Sequence, residues 1–227
     1  MEKYAVIVAG GSGRRMGTDR PKQFLLLHGK PVLWHTLSAF LSAFDDLHIV
    51  LVLPQPYLEE GTAIAQLTGL PGRIQLVTGG ATRYDSVKSG LAVVPGNAIV
   101  FVHDGVRCLV TPSLIQRCYT GTLEIGNAIP AIAAVDTIRI AGADGNKQVD
   151  RNLVRIIQTP QTFFSSRLKA AFEQPYNDSF TDEATVVERL GEKINLVEGE
   201  TTNIKITSPM DLLVAEKILE KREAQGE

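Results

Sequence analysis

The sequence has few cysteines, no long apolar run and no excess of basic residues. Its 227 residues contain only Cys108 and Cys118, too few for a disulfide framework and typical of a reducing compartment, so we expect a cytoplasmic protein. No apolar stretch approaches the ~18 residues that span a membrane, and no membrane contact is expected. The formal net charge of −2 argues against a nucleic-acid binder, which usually carries a basic excess.

Two well-defined phosphate-binding motifs are also absent. A Walker A loop requires G-x-x-x-x-G-K-[ST], and no glycine is followed by Lys-Ser or Lys-Thr at that spacing. The dinucleotide fingerprint G-x-G-x-x-G, begun at Gly11, needs a glycine where the chain has Met16. Any phosphate site must therefore be of another kind.

A glycine-rich loop with several cations follows the first apolar segment. Ala5–Ala9 leads into GGSG, and Arg14, Arg15, Pro21 and Lys22 come after it. Glycines let backbone N–H groups approach a phosphate, while arginine and lysine supply charge. A plain tight turn is the alternative, but such a turn has no reason to gather like charges. The loop therefore predicts a polyphosphate site.

Apolar, β-branched segments alternate with amphipathic ones along most of the chain. This alternation predicts a Rossmann-like, mostly parallel α/β sheet with helices on both faces. No linker rich in Pro, Gly or Ser divides residues 1–227, so a single domain is expected. The predicted strands are Ala5–Ala9, His48–Leu53, Ile74–Val77, Ala98–His103, Ala128–Val135 and Asn195–Glu198. The predicted helices are the one from Pro31, Pro56–Leu67, Arg83–Val94, Pro112–Leu123, about 165–174, about 182–190 and one capped by Ser208.

The alternation breaks between Asp136 and Thr159. Thr137–Ile140 and Val154–Gln158 look like the two strands of a hairpin with Asp144-Gly145 at its turn. The segment is too short for a βαβ unit, and its polar tip would gain little from lying on the core. We therefore predict a protruding β-hairpin arm at about 136–158 that docks on a second subunit.

Polar motifs follow three of the predicted parallel strands. The glycine-rich loop follows the first strand, GGATR the third and HDGVR the fourth. The carboxyl ends of parallel strands meet at one edge of a sheet, where ligands of such folds bind. We therefore expect the three motifs to form one site.

Two residues of HDGVR suit that chemistry. Asp104, at the end of an apolar strand, fits a Mg²⁺ ion that also takes substrate phosphates, although a loop-capping aspartate is the alternative. Arg107 suits an anionic substrate better than a structural salt bridge. His103 is expected to be packed or hydrogen-bonded, because no second His or Cys stands at ligand spacing. Cys108 is interpreted as a bystander.

Two later segments are ambiguous by themselves. Lys205 is interesting only as a further cation for the same phosphate, since a lone lysine usually faces solvent. Thr181-Asp182-Glu183 is interpreted, in isolation, as a helix N-cap followed by first-turn acids.

The order of the motifs resembles that of the 2-C-methyl-D-erythritol 4-phosphate cytidylyltransferase family of non-mevalonate isoprenoid biosynthesis. The resemblance runs from about residue 5 to about residue 218. The segments that carry it are AGGSGRRMG, RPKQF, GGATRYDSVKSGL, VHDGVR, VDRNLVRIIQTPQTF, TDEA and NIKIT. A ribitol-5-phosphate or other polyol-phosphate cytidylyltransferase is the nearest alternative, and a non-catalytic nucleotide-binding protein is a second one.

The resemblance implies transfer of CMP from CTP to 2-C-methyl-D-erythritol 4-phosphate, with release of pyrophosphate and Mg²⁺ as the divalent cation. It implies catalytic roles for Arg15, Lys22 and Lys205. It implies nucleotide contacts from Gly10, Gly11, Ser12, Gly13, Gly80, Arg83, Ser86 and Gly105. It implies acceptor contacts from Asp104, Arg107, Thr159 and Thr181, and from Thr137 and Arg151 on the arm, reaching into the partner's site of a homodimer. Two residues depart from the family pattern: Ala81 stands where a small polar or acidic residue is expected, and Cys108 stands where a proline usually follows the arginine.

Overall fold

A computed structural model describes residues 1–11 and 20–225. In this part of the chain the strands are β1 (Glu2–Val8), β2 (Leu26–Leu27), β3 (Lys30–Pro31), β4 (Leu47–Leu53), β5 (Ile74–Thr78), β6 (Ala98–Asp104), β7 (Asn127–Ala133), β8 (Ile138–Gly142), β9 (Gly145–Val149), β10 (Arg155–Ile157), β11 (Gln161–Phe164) and β12 (Leu196–Glu198). The helices are α1 (Val32–Ala43), α2 (Leu58–Leu67), α3 (Arg83–Ala92), α4 (Pro112–Ile125), α5 (Ser165–Ala171), α6 (Glu183–Glu188) and α7 (Pro209–Gln225).

The central sheet has the order β10-β7-β11-β6-β1-β4-β5, and β12 also pairs with β7. Strand β1 is parallel to β4 and β6, and β4 is parallel to β5. Strand β11 is antiparallel to both β6 and β7, between which it lies. The predicted mostly parallel α/β sheet is confirmed, with antiparallel strands on one side of it.

Helices cover both faces of the sheet because the central strands are apolar on both sides. In β1, Ala5 and Ile7 pack in one buried cluster with Leu37 of α1 and Leu114 of α4. Val6 and Val8 pack on the opposite face of the sheet. There they form a second cluster with Val87 of α3 and Leu168 of α5. The alternation of side chains along the strand produces these two layers.

The predicted pairing of the arm is wrong. Strand β8 pairs with β9, from Ile138 opposite Val149 to Gly142 opposite Gly145. The two residues between these strands close the hairpin locally, which fixes the partner within the next few residues. The segment Arg155–Ile157 instead pairs antiparallel with β7, where Ile157 packs against the buried core.

The predicted cap of the C-terminal helix is confirmed. The N–H of Asp211 donates to Oγ of Ser208 at 3.4 Å, and the N–H of Ser208 donates to Oδ2 of Asp211 at 2.7 Å. None of the helices within residues 1–11 and 20–225 has the length and apolar character needed to cross a membrane.

Candidate active site

A cavity of about 340 Å³ lies at the carboxyl ends of β1, β4, β5 and β6. It brings together residues from all three predicted motifs and from the segment that carries Lys205. Among its lining residues are Gly10, Gly11, Lys22, Gln23, Gly79, Gly80, Ala81, Thr82, Arg83, Ser86, Asp104, Val106 and Lys205.

The first motif is described only at its two ends, because Ser12, Gly13 and Arg15 fall outside the described residues. Lys22 begins a short 3-10 turn, Lys22–Phe24, and is 8% exposed at the cavity wall. Its neighbour Gln23, which the sequence did not single out, donates from Nε2 to the carbonyl oxygen of Ala9 at 2.8 Å. This bond ties the lysine-bearing turn to the end of β1.

Asp104 is the acidic residue that ends β6 at the cavity, and it is 7% exposed. Its Oδ2 lies 2.8 Å from Nζ of Lys205 and 3.6 Å from Nε of Arg107. Its Oδ1 accepts from Nε and Nη2 of Arg83, both at 3.3 Å. Burial by itself raises the pKa of Asp104, but Arg83, Lys205 and Arg107 outweigh it and hold that pKa well below its usual range. The carboxylate is therefore ionised at neutral pH.

Arg83 lies between two carboxylates. Its guanidinium contacts Asp104 on one side and donates to Glu183 on the other, from Nη1 at 2.5 Å and from Nη2 at 3.2 Å. The N-cap of α6 is Asp182, whose carboxylate accepts from the N–H of Thr185, so the cap lies one residue after Thr181, where the sequence interpretation placed it. Glu183, by contrast, is 1% exposed and paired, so its interpretation as an ordinary first-turn acid is incomplete.

The second motif forms a tight turn before α3. The N–H of Gly80 donates to Oγ of Ser86 at 3.2 Å, and that hydroxyl donates to the carbonyl oxygen of Thr82 at 2.9 Å. A Cβ at Gly80 would lie 2.3 Å from Cβ of Asp85, so only glycine fits there. Ala81 lies at the cavity wall beside this turn.

His103 is buried and hydrogen-bonded, as predicted. Its Nε2 lies 3.1 Å from the carbonyl oxygen of Arg107, which can only accept, so Nε2 carries the proton. Its Nδ1 then accepts from Oγ1 of Thr159 at 2.9 Å, and that hydroxyl oxygen accepts from the N–H of Asp104 at 3.2 Å. Burial lowers the pKa of His103 to about 3, so the imidazole is neutral.

Two predicted site residues have structural contacts of their own, and a third lies away from the cavity. Arg107 donates from Nη1 to the carbonyl oxygen of Asn203 at 2.9 Å and forms the ion pair with Asp104 that the sequence argument disfavoured. The N–H of Gly105 donates to the carbonyl oxygen of Val8, and a Cβ there would meet Cβ of Ala9 at 2.9 Å. Thr181 is exposed and lies outside the cavity wall.

The family model for 2-C-methyl-D-erythritol 4-phosphate cytidylyltransferase matches residues 4–221. This chain belongs to that family. It is therefore a nucleotidyltransferase with cytidylyltransferase activity in isoprenoid biosynthesis, as the sequence predicted.

Relatives of that name support the assignment over the whole length. The enzyme of Phocaeicola vulgatus is 43% identical over 219 residues, which cover 96% of this chain and 100% of that protein. The enzyme of Bacteroides fragilis is 44% identical with the same coverage. The crystal structure of 4-diphosphocytidyl-2C-methyl-D-erythritol synthase from Anaerococcus prevotii has a TM-score of 0.83 at 28% identity, covering 96% of this chain and 98% of that one.

The arm residues expected from the family lie together, but apart from the cavity. Thr137 and Arg151 line a shallow depression beside the hairpin. Nη1 of Arg151 donates to the carbonyl oxygen of Val135 at 2.8 Å, and both expected residues are exposed. A contact between these residues and a substrate in a partner's cavity stays a prediction.

The described part of the cavity offers a divalent cation one carboxylate. No group of three or more His, Cys, Asp or Glu side chains in the described residues could hold a metal ion. Mg²⁺ often takes one or two carboxylates and completes its shell with substrate phosphates and water. Asp104 fits such a cation, provided that Lys205 shares or releases Oδ2.

Proposed function

We propose that the cavity at the carboxyl edge of the sheet transfers CMP from CTP to 2-C-methyl-D-erythritol 4-phosphate. The observation that carries this proposal is the convergence of Lys22, Lys205 and Asp104 beside the paired glycines on one cavity wall. The backbone N–H groups of glycines can donate to phosphate oxygens, and the lysine ammonium groups can pair with the negative charge of a triphosphate.

The reaction is an in-line displacement at the α-phosphorus of CTP. A phosphate oxygen of the acceptor forms a new bond to that phosphorus, the bond to the oxygen that bridges to the β-phosphate breaks, and pyrophosphate leaves with the electron pair. The attacking oxygen is already anionic, so a strong general base is unnecessary. Catalysis then consists of positioning and charge stabilisation.

Different residues of the described part of the cavity would provide the charge stabilisation and the positioning. Lys22 and Lys205 offset the charge that develops on the phosphate oxygens, and Gly10, Gly11 and Gly80 leave room for the nucleotide. Asp104 would hold a Mg²⁺ ion, which when bound neutralises phosphate charge at the reacting centre. Arg15, from the segment outside the described residues, is proposed as a further cation for the triphosphate.

The arm is proposed to complete the acceptor site of a second copy of the chain. Exposed apolar side chains lie beside it, including Val135 at 78% and Leu153 at 81% exposure, which favours their burial against another surface. Thr137 and Arg151 would then reach the partner's acceptor. We also propose a cytoplasmic location, which is supported by two buried thiols, Cys108 and Cys118, that form no disulfide.

A substrate panel tests the proposed function. CTP, UTP and GTP are each combined with 2-C-methyl-D-erythritol 4-phosphate and ribitol 5-phosphate, and pyrophosphate release is measured with Mg²⁺ and after chelation. We expect release with CTP and the erythritol phosphate, and its loss on chelation. Faster pyrophosphate release with ribitol 5-phosphate would show that the acceptor is ribitol 5-phosphate instead. Tight CTP binding without any pyrophosphate release would contradict the catalytic role.

A further inference from the structure

Glu183 is a buried charged residue near this edge of the sheet, and the proposed chemistry does not explain why it is buried. It is 1% exposed, it does not line the cavity, and its carboxylate accepts two hydrogen bonds from Arg83. A buried charge of this kind is costly unless it is paired, so its presence needs a reason beyond helix capping.

The first turn of α6 is built to hold that carboxylate still. Asp182 and Thr185 form a capping box at the start of the helix. Gln161 of β11, itself 1% exposed, donates from Nε2 to Oδ2 of Asp182 at 2.8 Å and accepts from the N–H of Ala184 at 2.8 Å. Bonds on both sides of Glu183 therefore anchor its backbone to the central sheet.

The anchored carboxylate determines how the guanidinium of Arg83 can lie. With Nη1 and Nη2 donating to Glu183, Nε and the remaining hydrogen of Nη2 face Oδ1 of Asp104. The opposite carboxylate oxygen, Oδ2, is left for Lys205. The result is a row of alternating charges, Glu183–Arg83–Asp104–Lys205, which runs from α6 to the cavity.

We propose that Glu183 is a positioning residue for the cytidylyl transfer, which acts through Arg83 to fix the orientation of the Asp104 carboxylate. It also neutralises Arg83, whose side chain is 32% exposed at the cavity wall and would otherwise be drawn to the triphosphate. This inference rests on the proposed function, because it assigns Glu183 to the same reaction.

If Glu183 is a positioning residue, Glu183→Gln should lower kcat without raising the KM for CTP. The amide keeps the size of the side chain and one acceptor but loses the charge. Arg83 is then free to pair wholly with Asp104 or with phosphate, so we expect kcat to fall about 10- to 100-fold. The KM for CTP should not rise, because the cavity becomes more positive. Damage to the fold alone would instead lower the active fraction and weaken CTP binding.

The matched control is Glu188→Gln, the same change at the exposed last residue of the same helix, and it should keep the wild-type constants. Arg83→Lys keeps the charge but loses the planar fork, and it should lower kcat similarly. The double variant Glu183→Gln/Arg83→Lys should have a kcat little lower than that of either single variant, because both substitutions disrupt the same contact. Glu183→Asp, which keeps the charge on a shorter side chain, serves if the glutamine variant does not fold.

CTP affinity measured by calorimetry without acceptor gives a readout that does not require turnover. We expect Glu183→Gln to bind CTP at least as tightly as wild type. An unchanged kcat, a tenfold weaker affinity for CTP, or fully additive losses in the double variant would overturn the positioning role. Absence of turnover in the wild-type protein would instead contradict the proposed function, and the affinity comparison would still report on Glu183.

Discussion

At the residue scale, the polar groups behind Asp104 matter as much as those that face the cavity. The imidazole of His103, the hydroxyl of Thr159 and the backbone N–H of Asp104 form one hydrogen-bonded row. The N–H of Asp104 donates to the hydroxyl oxygen of Thr159, and that hydroxyl donates to Nδ1 of His103. The sequence predicted a packed, hydrogen-bonded His103, but the identity of its partner depends on a segment 56 residues away.

This buried histidine should make the free energy of unfolding depend on pH. The folded pKa of His103 is lowered to about 3, below its ordinary value of 6.5, so the unfolded chain binds more protons between these values. Stability from this group is therefore present above about pH 6.5 and is lost as pH falls towards 3, by up to ~1.4 kcal/mol per pH unit. Urea unfolding at several pH values from 7 to 4.5 measures the slope.

Two histidine variants separate this contribution from the others. His103→Gln keeps a donor for the carbonyl oxygen of Arg107 and should flatten the slope. The matched control is His48→Gln, the same change at an exposed histidine that stacks on Tyr4, away from this buried row. His35, whose pKa burial also lowers, is present in both variants. An equal slope in both would show that His103 does not titrate as described.

At the element scale, the close approach of α3 to the sheet determines where Arg83 lies. Gly90, in the last turns of α3, faces Val6 and Val52, and a Cβ there would lie 2.5 Å from Cγ1 of Val6. Valine in a strand has a stiff side chain and cannot easily move aside. The absence of a side chain at Gly90 thus lets the helix pack closely, with Arg83 at its first turn beside β6.

Gly90→Ala should therefore lower the free energy of unfolding. Alanine gains about 1 kcal/mol in helix propensity, but overpacking a core typically costs about 1–3 kcal/mol. Because the added Cβ would lie only 2.5 Å from Cγ1 of Val6, the cost falls in the upper part of that range, and we expect a net loss of about 1–2 kcal/mol in urea unfolding. The control is Gly96→Ala, where nothing lies within 4 Å of the added Cβ and the change should stay within about 0.5 kcal/mol. Equal stability of the two variants would refute the close-packing argument.

The arm is the element that the sequence predicted in kind but not in detail. Its existence follows from the break in the alternation of strands and helices. Its pairing could not be predicted, because it depends on a competition: β8 pairs with the nearby β9, and Arg155–Ile157 pairs with β7. Strand β11 was missed for a similar reason. Its first residues, Gln161 and Thr162, are polar and buried, and only their cross-strand partners reveal them as a strand.

Arg151→Ala tests the proposed role of the arm. If Arg151 reaches the acceptor of a partner subunit, its loss should raise the KM for the erythritol phosphate more than the KM for CTP. Arg139→Ala, on the same arm but bonded to Asn146 of its own hairpin, is the control. Sedimentation that shows a fully active monomer would remove the cross-subunit role, whatever the kinetic constants.

At the scale of the whole molecule, the candidate site follows from topology. Parallel strands end at one edge, so motifs far apart in the sequence meet there, and this much could be predicted from the apolar segments and the motifs after them. What could not be predicted were the contacts among distant side chains. Glu183 is 100 residues from its partner Arg83, and nothing in TDEA distinguishes a buried carboxylate from an exposed one.

The proposed transfer of CMP in the cavity at this edge depends on preorganised cations. Lys22→Ala removes one of these cations at a residue that is buried at the cavity wall. Lys88→Ala, at an exposed position of α3, is the control. The measurement is the rate of pyrophosphate release from CTP and 2-C-methyl-D-erythritol 4-phosphate, with folding checked by circular dichroism. We predict a loss of about 10²–10³ in turnover for Lys22→Ala and wild-type turnover for Lys88→Ala; unchanged turnover in a folded Lys22→Ala protein would contradict the account.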